Sequence, residues 1–271
     1  NTHASLMRRL AWNPLDAVTV NGRAVRNEKV RKIMIRSALE VESEFNNGRY
    51  GKGLLKRIYH PSTELPALIE KYLITNTDSK PMTVEIPGGG FISATDPAKG
   101  VTGSYTIQGT VTGSGAYELR PGDTLAFSAQ ITATAPDETA VTADADIEYD
   151  KRARLVDSLM GNLVLETPDP VINKMMDFAK VRACESIFAT KSGPMHGPGG
   201  ESYYAAIWAN DQAEYINPFF PFTGYEYGNE SALNSFRHFA RFMNDEYKTI
   251  PSSIIAEGDD IWDGAGDRGD C

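Results

Sequence analysis

The segment Glu201-Ser-Tyr-Tyr-Ala-Ala-Ile-Trp208-Ala-Asn210-Asp211-Gln-Ala-Glu214-Tyr215 sets carboxylates and amides among aromatic rings. On a helix, Trp208, Asp211, Glu214 and Tyr215 stand three and four residues apart and share one face. A sugar ring suits that combination. Its C–H face stacks on an aromatic surface, while its hydroxyls donate to carboxylates and accept from Asn210 or Gln212. Aromatics at helical spacing also serve as ordinary core, and composition alone does not separate the two readings.

A second segment, Glu257-Gly-Asp259-Asp260-Ile-Trp262-Asp263-Gly-Ala-Gly-Asp267-Arg268-Gly-Asp270, crowds five aspartates into a glycine-rich stretch beside a tryptophan. Their repulsion must be offset by the Arg268 guanidinium, by helix N-terminal amides, by sugar hydroxyls or by a cation. Calcium suits such oxygen ligands, although the D-x-D-x-D-G spacing and closing Glu of an EF-hand are absent. An exposed acidic loop with Asp–Arg pairs is the plainer reading. The substrate-binding candidates are therefore Trp208, Asn210, Asp211, Glu214, Tyr215, Trp262, Asp263, Asp267, Arg268 and Asp270. Asp211, Glu214 and Asp267 are the carboxylates that could serve as acid or base.

Other chemistries lack their residues. The glycines of Gly193-Pro-Met-His196-Gly-Pro-Gly-Gly-Glu201 make neither a phosphate-binding P-loop nor a dinucleotide fingerprint. His60, His196 and His238 lie without metal-ligand spacing, and no G-x-S-x-G elbow occurs. The 36 acidic against 27 basic residues, a formal charge of −9 with no long basic run, argue against a nucleic-acid partner. No stretch approaches the roughly 20 apolar residues of a membrane-spanning helix. Cys184 and Cys271 read as free thiols, too few for a disulfide framework.

Two kinds of element must position these residues. From Leu54 to Pro136, short runs such as Ala67–Thr75, Met82–Ile86, Val101–Val111 and Thr124–Ala135 alternate or are β-branched, and predict strands. Pro87-Gly-Gly-Gly90, Thr112-Gly-Ser-Gly115 and Arg120-Pro-Gly-Asp123 supply turns between them. Residues 24–42 read as strand and loop at a sheet edge. After Pro136 the period changes. Ile172, Met175, Met176, Ala179, Ala183 and Ile187 recur at helical steps behind the cap Asp169-Pro170. A further helix from about Asn229 carries Ala232, Leu233, Phe236, Phe239, Ala240 and Met243 on one face. Residues 203–215 and 153–165 are also expected to be helical.

Strands followed by helices predict an α+β chain of two domains: an antiparallel β-sandwich over residues 1–136, an acidic connector over 137–150, and a helical domain over 151–271. A ring of paired helices needs more members than this half supplies, so the chain is expected to stop inside its second domain.

The strings Tyr203-Tyr-Ala-Ala-Ile-Trp208-Ala-Asn-Asp-Gln-Ala-Glu-Tyr215 and Gly266-Asp-Arg-Gly-Asp270, in this segment order, resemble bacterial six-hairpin glycosidases of the α-L-rhamnosidase-like group. The stretch Tyr105–Gly122 with its Arg-Pro-Gly-Asp turn is similar to the sandwich half of that family. The resemblance implies a β-sandwich before an (α/α)6 toroid, and inverting hydrolysis of a terminal sugar such as an α-L-rhamnoside. It implies an oligosaccharide or glycoside as partner, and an exported or periplasmic home. Inversion needs two carboxyls roughly 6.5–9.5 Å apart. In such relatives the acid and base come from later helices, so the pair is expected beyond residue 271, with the residues above binding sugar. Two other readings stay open. One is a non-catalytic carbohydrate-binding or structural module. The other is a homo-oligomer in which two half-toroids cover each other's apolar faces.

Overall fold

The computed structural model describes residues 10–99, 103–190, 192–197, 206–255 and 261–262. They form an α+β fold of two compact units divided between Leu155 and Val156.

In the first unit, chain order runs β1 Thr19–Val20, β2 Arg23–Ala24, β3 Lys29–Ile35, β4 Leu39–Asn46, β5 Lys52–Pro61, β6 Ala67–Asn76, β7 Met82–Ile86, β8 Gly90–Ala94, β9 Thr106–Thr112, β10 Gly115–Leu119 and β11 Thr124–Thr134. All pairings are antiparallel. They build a seven-stranded sheet, β3-β4-β5-β6-β11-β9-β8, and a four-stranded sheet, β10-β7-β1-β2. The sheets share one core. Val20, Met82, Val84, Ile86 and Leu119 from the small sheet meet Phe45, Leu55, Tyr72, Ile74, Phe127 and Ala129 from the large one. Tyr72 and Phe127 stack with centroids 4.7 Å apart. This is a β-sandwich, and β7 shows why its sequence makes one: Met82, Val84 and Ile86 are buried while Thr83 and Glu85 are exposed.

The turns work by local hydrogen bonds. Asn76, fully buried, donates to the carbonyls of Lys80 and Leu119 (2.9 Å each) and accepts from the Asp78 amide. Gly122 takes φ +88° in the Arg120–Asp123 turn, where the Arg120 amide donates to the Asp123 carboxylate at 2.8 Å. Residues 24–42 resolve into the end of β2, all of β3 and the first half of β4, with β3 at the sheet edge as its uneven pattern suggests. The glycine run after Pro87 is not all turn. Gly90 begins β8, where a Cβ would come within 1.8 Å of the Gly109 carbonyl oxygen.

Helix α1, Ala145–Gly161, starts earlier than its apolar spacing indicates, because Asp144 caps it and Asp146 and Glu148 favour its N-terminus. Its first turns grip the outer face of the large sheet. Glu148 accepts from Ser62 and Lys151, Tyr149 packs edge-on against His60, and Arg152 Nε donates to the Ser37 carbonyl at 3.0 Å.

The second unit contains α2 Pro170–Glu185, a hairpin of β12 Ile187–Thr190 and β13 Gly193–His196, then β14 Ala206–Trp208, α3 Asn217–Thr223, α4 Glu226–Ala240, β15 Ser253–Ile255 and β16 Ile261–Trp262. Asp169 caps α2, accepting from the Val171 amide at 2.8 Å. None of these helices, nor α1, is long and apolar enough to cross a membrane among the described residues.

Three helical expectations are corrected. Ile187 opens a strand instead of extending α2. In α2 the buried residues are Lys180, Val181 and Cys184, whereas Ile172, Met175 and Phe178 are exposed. In α4 the buried face is Gly228, Ser231, Ala232, Ser235, His238 and Phe239, leaving Leu233, Phe236 and Met243 exposed. Small residues face inward here because the neighbouring chain comes close. A Cβ on Gly228 would stand 2.5 Å from Cδ1 of Phe220, a fully buried ring with no room to retreat. Gly228→Ala is therefore expected to lower stability by about 1–3 kcal/mol through overpacking. Gly161→Ala, where a Cβ meets nothing within 4 Å, should be close to neutral. Denaturant titration of the two variants side by side checks the contrast.

Candidate functional site

The segment with the densest mixture of aromatic and acidic residues is not one helix. Residues 206–208 form β14, which pairs with β15 through Ala206↔Ile255, Ile207↔Ile254 and Trp208↔Ser253. The chain turns helical only after Trp208, and Asp211–Ile216 winds as a π-helix leading into α3. Of the helix expected over 203–215, residues 209–215 are helical, 206–208 are strand because pairing with residues some 45 positions away outweighs local propensity, and 203–205 lie outside the described residues. Such wide turns occur often at functional sites.

The sheet brings the two tryptophan segments together. Ser253 of β15 stands opposite Trp208 on one side and Trp262 on the other, so positions 208, 253 and 262 form one row across three strands. Beneath this row lies a small core of Met195, Ile207, Ala209, Phe239 and Ile254. The Ala209 amide donates to the Ser252 carbonyl at 2.9 Å, which fixes where the π-helix begins.

On that π-helix Asp211 and Tyr215 meet. The Tyr215 hydroxyl donates to Asp211 Oδ1 at 2.6 Å. Partial burial, and then the neighbouring carboxylate, push the Tyr215 phenol well above its ordinary value, so it stays a proton donor at neutral pH. Asp211 is thereby held in one orientation with its other oxygen unclaimed by this bond. Trp208, Asn210 and Asp211 are half-buried; Glu214 and Tyr215 are exposed. Asp263, Asp267, Arg268 and Asp270 lie outside the described residues, as do the side-chain surroundings of Trp262.

Gln212 does a different job from the one its chemistry suggests. It is buried and donates through Nε2 to the His196 carbonyl at 2.9 Å, tying the π-helix to β13. His196 is the residue that spacing gave no reason to select. It sits 4% exposed, edge-on to Phe220 with ring centroids 5.9 Å apart, and its Nδ1 has no partner among the described residues. Burial pushes its imidazole down to about 4, so it is neutral at physiological pH. The β12–β13 turn behind it is held to α4: Asn234 donates to the carbonyls of Ser192 and Pro194, and His238 Nε2 lies 3.0 Å from the Ser192 carbonyl oxygen.

Among the described residues no three His, Cys, Asp or Glu side chains come together as a metal site. The arrangement instead offers a carboxylate oriented by a phenol, with an amide and an indole one and three residues earlier in the chain, groups that recognise hydroxyls and C–H faces.

No protein-family model and no curated protein matches the sequence. Solved structures do match in fold. One is described, by assignment, as a kojibiose phosphorylase from human microbiome; it aligns with a TM-score of 0.55 at 7% identity over 82% of this chain. The chain spans 37% of the length of that protein. At such identity the likeness is one of fold alone.

Proposed function

We propose that this chain is part of a carbohydrate-active enzyme that cleaves a glycosidic bond, with its helical unit belonging to an (α/α)6 toroid. The observation that carries this reading is the shared fold with a protein named as a disaccharide phosphorylase, over 82% of the chain. The exposed strips Ile172, Met175 and Phe178 on α2, and Leu233 and Phe236 on α4, support it. They are faces that further hairpins of a helical ring would cover.

In this reading Trp208, Asn210, Asp211, Glu214 and Tyr215 hold the sugar, joined by Trp262, Asp263, Asp267, Arg268 and Asp270 from the acidic stretch. Asp211, fixed by Tyr215, takes hydroxyl protons as hydrogen bonds and acts as neither acid nor base. The acid and base are carboxylates of the remaining ring, the one protonating the leaving oxygen, the other drawing a proton from attacking water. The structural neighbour's name points to a variant in which inorganic phosphate attacks in place of water. The phosphate brings its own nucleophilic oxygen and needs no carboxylate base. An α-L-rhamnoside, the substrate that the sequence strings suggest, and an α-linked glucoside, which the neighbour suggests, are the two substrates to compare.

Incubation of the enzyme that joins this chain to the remaining ring with nitrophenyl α-L-rhamnoside and α-D-glucoside, with and without phosphate, separates these outcomes by product: free sugar or sugar phosphate. Bond cleavage is expected, with Asp211→Asn lowering kcat/KM by about 100-fold, mostly through KM, as loss of a charged hydrogen bond to substrate implies. Saturable sugar binding without product under any condition would replace the enzyme reading with a non-catalytic carbohydrate-binding module.

A further inference from the structure

The sandwich unit contains a pocket of about 390 Å³ that the reading above does not use. It is lined by the half-buried Trp12, by Val111 and by the run Pro87–Gly90. Asn13 and Asp16 stand at its rim, with Asn13 Nδ2 donating to Asp16 Oδ1 at 2.8 Å.

The fold builds this pocket deliberately at the level of sequence. Trp12 meets Phe91 edge-on with centroids 5.2 Å apart. Both rings lie over Gly109, where a Cβ would come within 2.4 Å of Phe91 Cε1 and 2.9 Å of Trp12 Cζ3. Only a bare backbone at position 109 lets the indole settle there. On the other side Gly89 adopts φ +144°, a conformation that disfavours side chains, and Gly90 has no space for one. The result is a pocket that combines an indole, glycine backbone, an amide and a carboxylate.

We infer that this pocket is a second carbohydrate site, binding one neutral pyranose ring against Trp12 with its hydroxyls bonded to Asn13, Asp16 and the glycine backbone. Chemistry narrows the ligand. Asp16 is the one charged residue lining the pocket among those described, so a phosphate or carboxylate ligand would be repelled. A single carboxylate is too few for a divalent cation, which takes six or more oxygen ligands. The polar rim disfavours a purely apolar guest. What fits is a ring with an apolar face and a hydroxylated edge. A site on the sandwich would give a second hold on a chain of sugar residues whose bonds are cut elsewhere in the enzyme, and it rests on the proposed function only for that purpose.

The test uses the full chain and follows the indole N–H resonances by NMR, with that of Trp12 assigned by Trp12→Phe. The probes are methyl α-D-glucopyranoside and methyl α-L-rhamnopyranoside. The Trp12 signal is expected to shift saturably with a Kd on the order of millimolar. Asp16→Ala should weaken binding by about 10-fold, as loss of one hydrogen bond implies. Ala17→Phe, at an exposed position lining the pocket, should fill it and abolish the shift while leaving the sandwich core untouched. A Trp12 signal that does not move, or that moves equally in Ala17→Phe, overturns the inference. A shift at Trp208 without one at Trp12 overturns this pocket and leaves the proposed function standing. A saturable shift at Trp12 supports the pocket whatever the outcome of the cleavage assay.

Discussion

Lys180→Met is expected to destabilise the helical unit by about 3–5 kcal/mol, the cost of breaking a buried charged network from one side. The Lys180 side chain is fully buried. Its ammonium donates to the carbonyls of Met160 (2.7 Å) and Asn162 (2.8 Å) and lies 3.4 Å from Asp177 Oδ1. Met160 lies in the last turn of α1 and Asn162 just beyond it, where a helix end leaves acceptors without partners in their own helix. The chain then passes through Leu163 at φ +48°, a left-handed conformation that a branched side chain rarely adopts unless neighbours hold it. Methionine keeps the apolar stem and nearly the volume, so it isolates the ammonium. Lys174→Met, at an exposed position of the same helix, should change little. A loss below about 1 kcal/mol at position 180 would mean that the orphaned carbonyls find water, and that the lysine is not the clamp its geometry indicates.

Lys180 also marks where sequence reading reaches its limit. A lysine interrupting the apolar spacing of α2 looks like the solvent side of an amphipathic helix, yet its partners are carbonyls 18 and 20 residues earlier. The same cause hides β14, β15 and β16. Strands of two or three residues carry no usable period, and their existence depends on pairing Trp208 with Ser253. What was legible had a local cause. Met82–Ile86 alternates because one face is buried, and Asp169-Pro170 announces a helix because an aspartate cap and a fixed proline φ act within one turn.

For the candidate site the division is similar. Asp211 and Tyr215, four apart, do meet, as helical spacing requires. Trp208 does not share their helix, and the ties of Gln212 to His196 join segments that spacing alone cannot connect. The buried face of α4 misleads for a different reason. Gly228, Ser231 and Ser235 look like poor core formers, but close approach of Phe220 and the bond from Asn217 Nδ2 to Ser235 Oγ (2.8 Å) make smallness the requirement. Hydrophobicity was the wrong quantity to rank there; available distance was the right one.

His196 makes the stability of the helical unit depend on pH, and the sign follows from its burial. Its folded-state pKa of about 4 lies below the ordinary 6.5. Between those values the unfolded chain binds a proton that the folded chain refuses, so stability falls as pH drops from about 6.5 toward 4. The full shift corresponds to about 3 kcal/mol. Glu28 and Glu148, whose carboxyls are held down by Arg57 and by Ser62 and Lys151 respectively, lose their contribution only below the ordinary carboxylate range, so they do not contaminate the upper part of this window. His60 does fall in it, because burial lowers its imidazole too, but it belongs to the sandwich. Denaturant unfolding followed by Trp208 fluorescence between pH 6.5 and 5 is therefore expected to weaken steeply in the natural chain and much less in His196→Gln. Equal pH slopes in the natural chain and in His196→Gln would show that the imidazole is not what links acid to the stability of this unit.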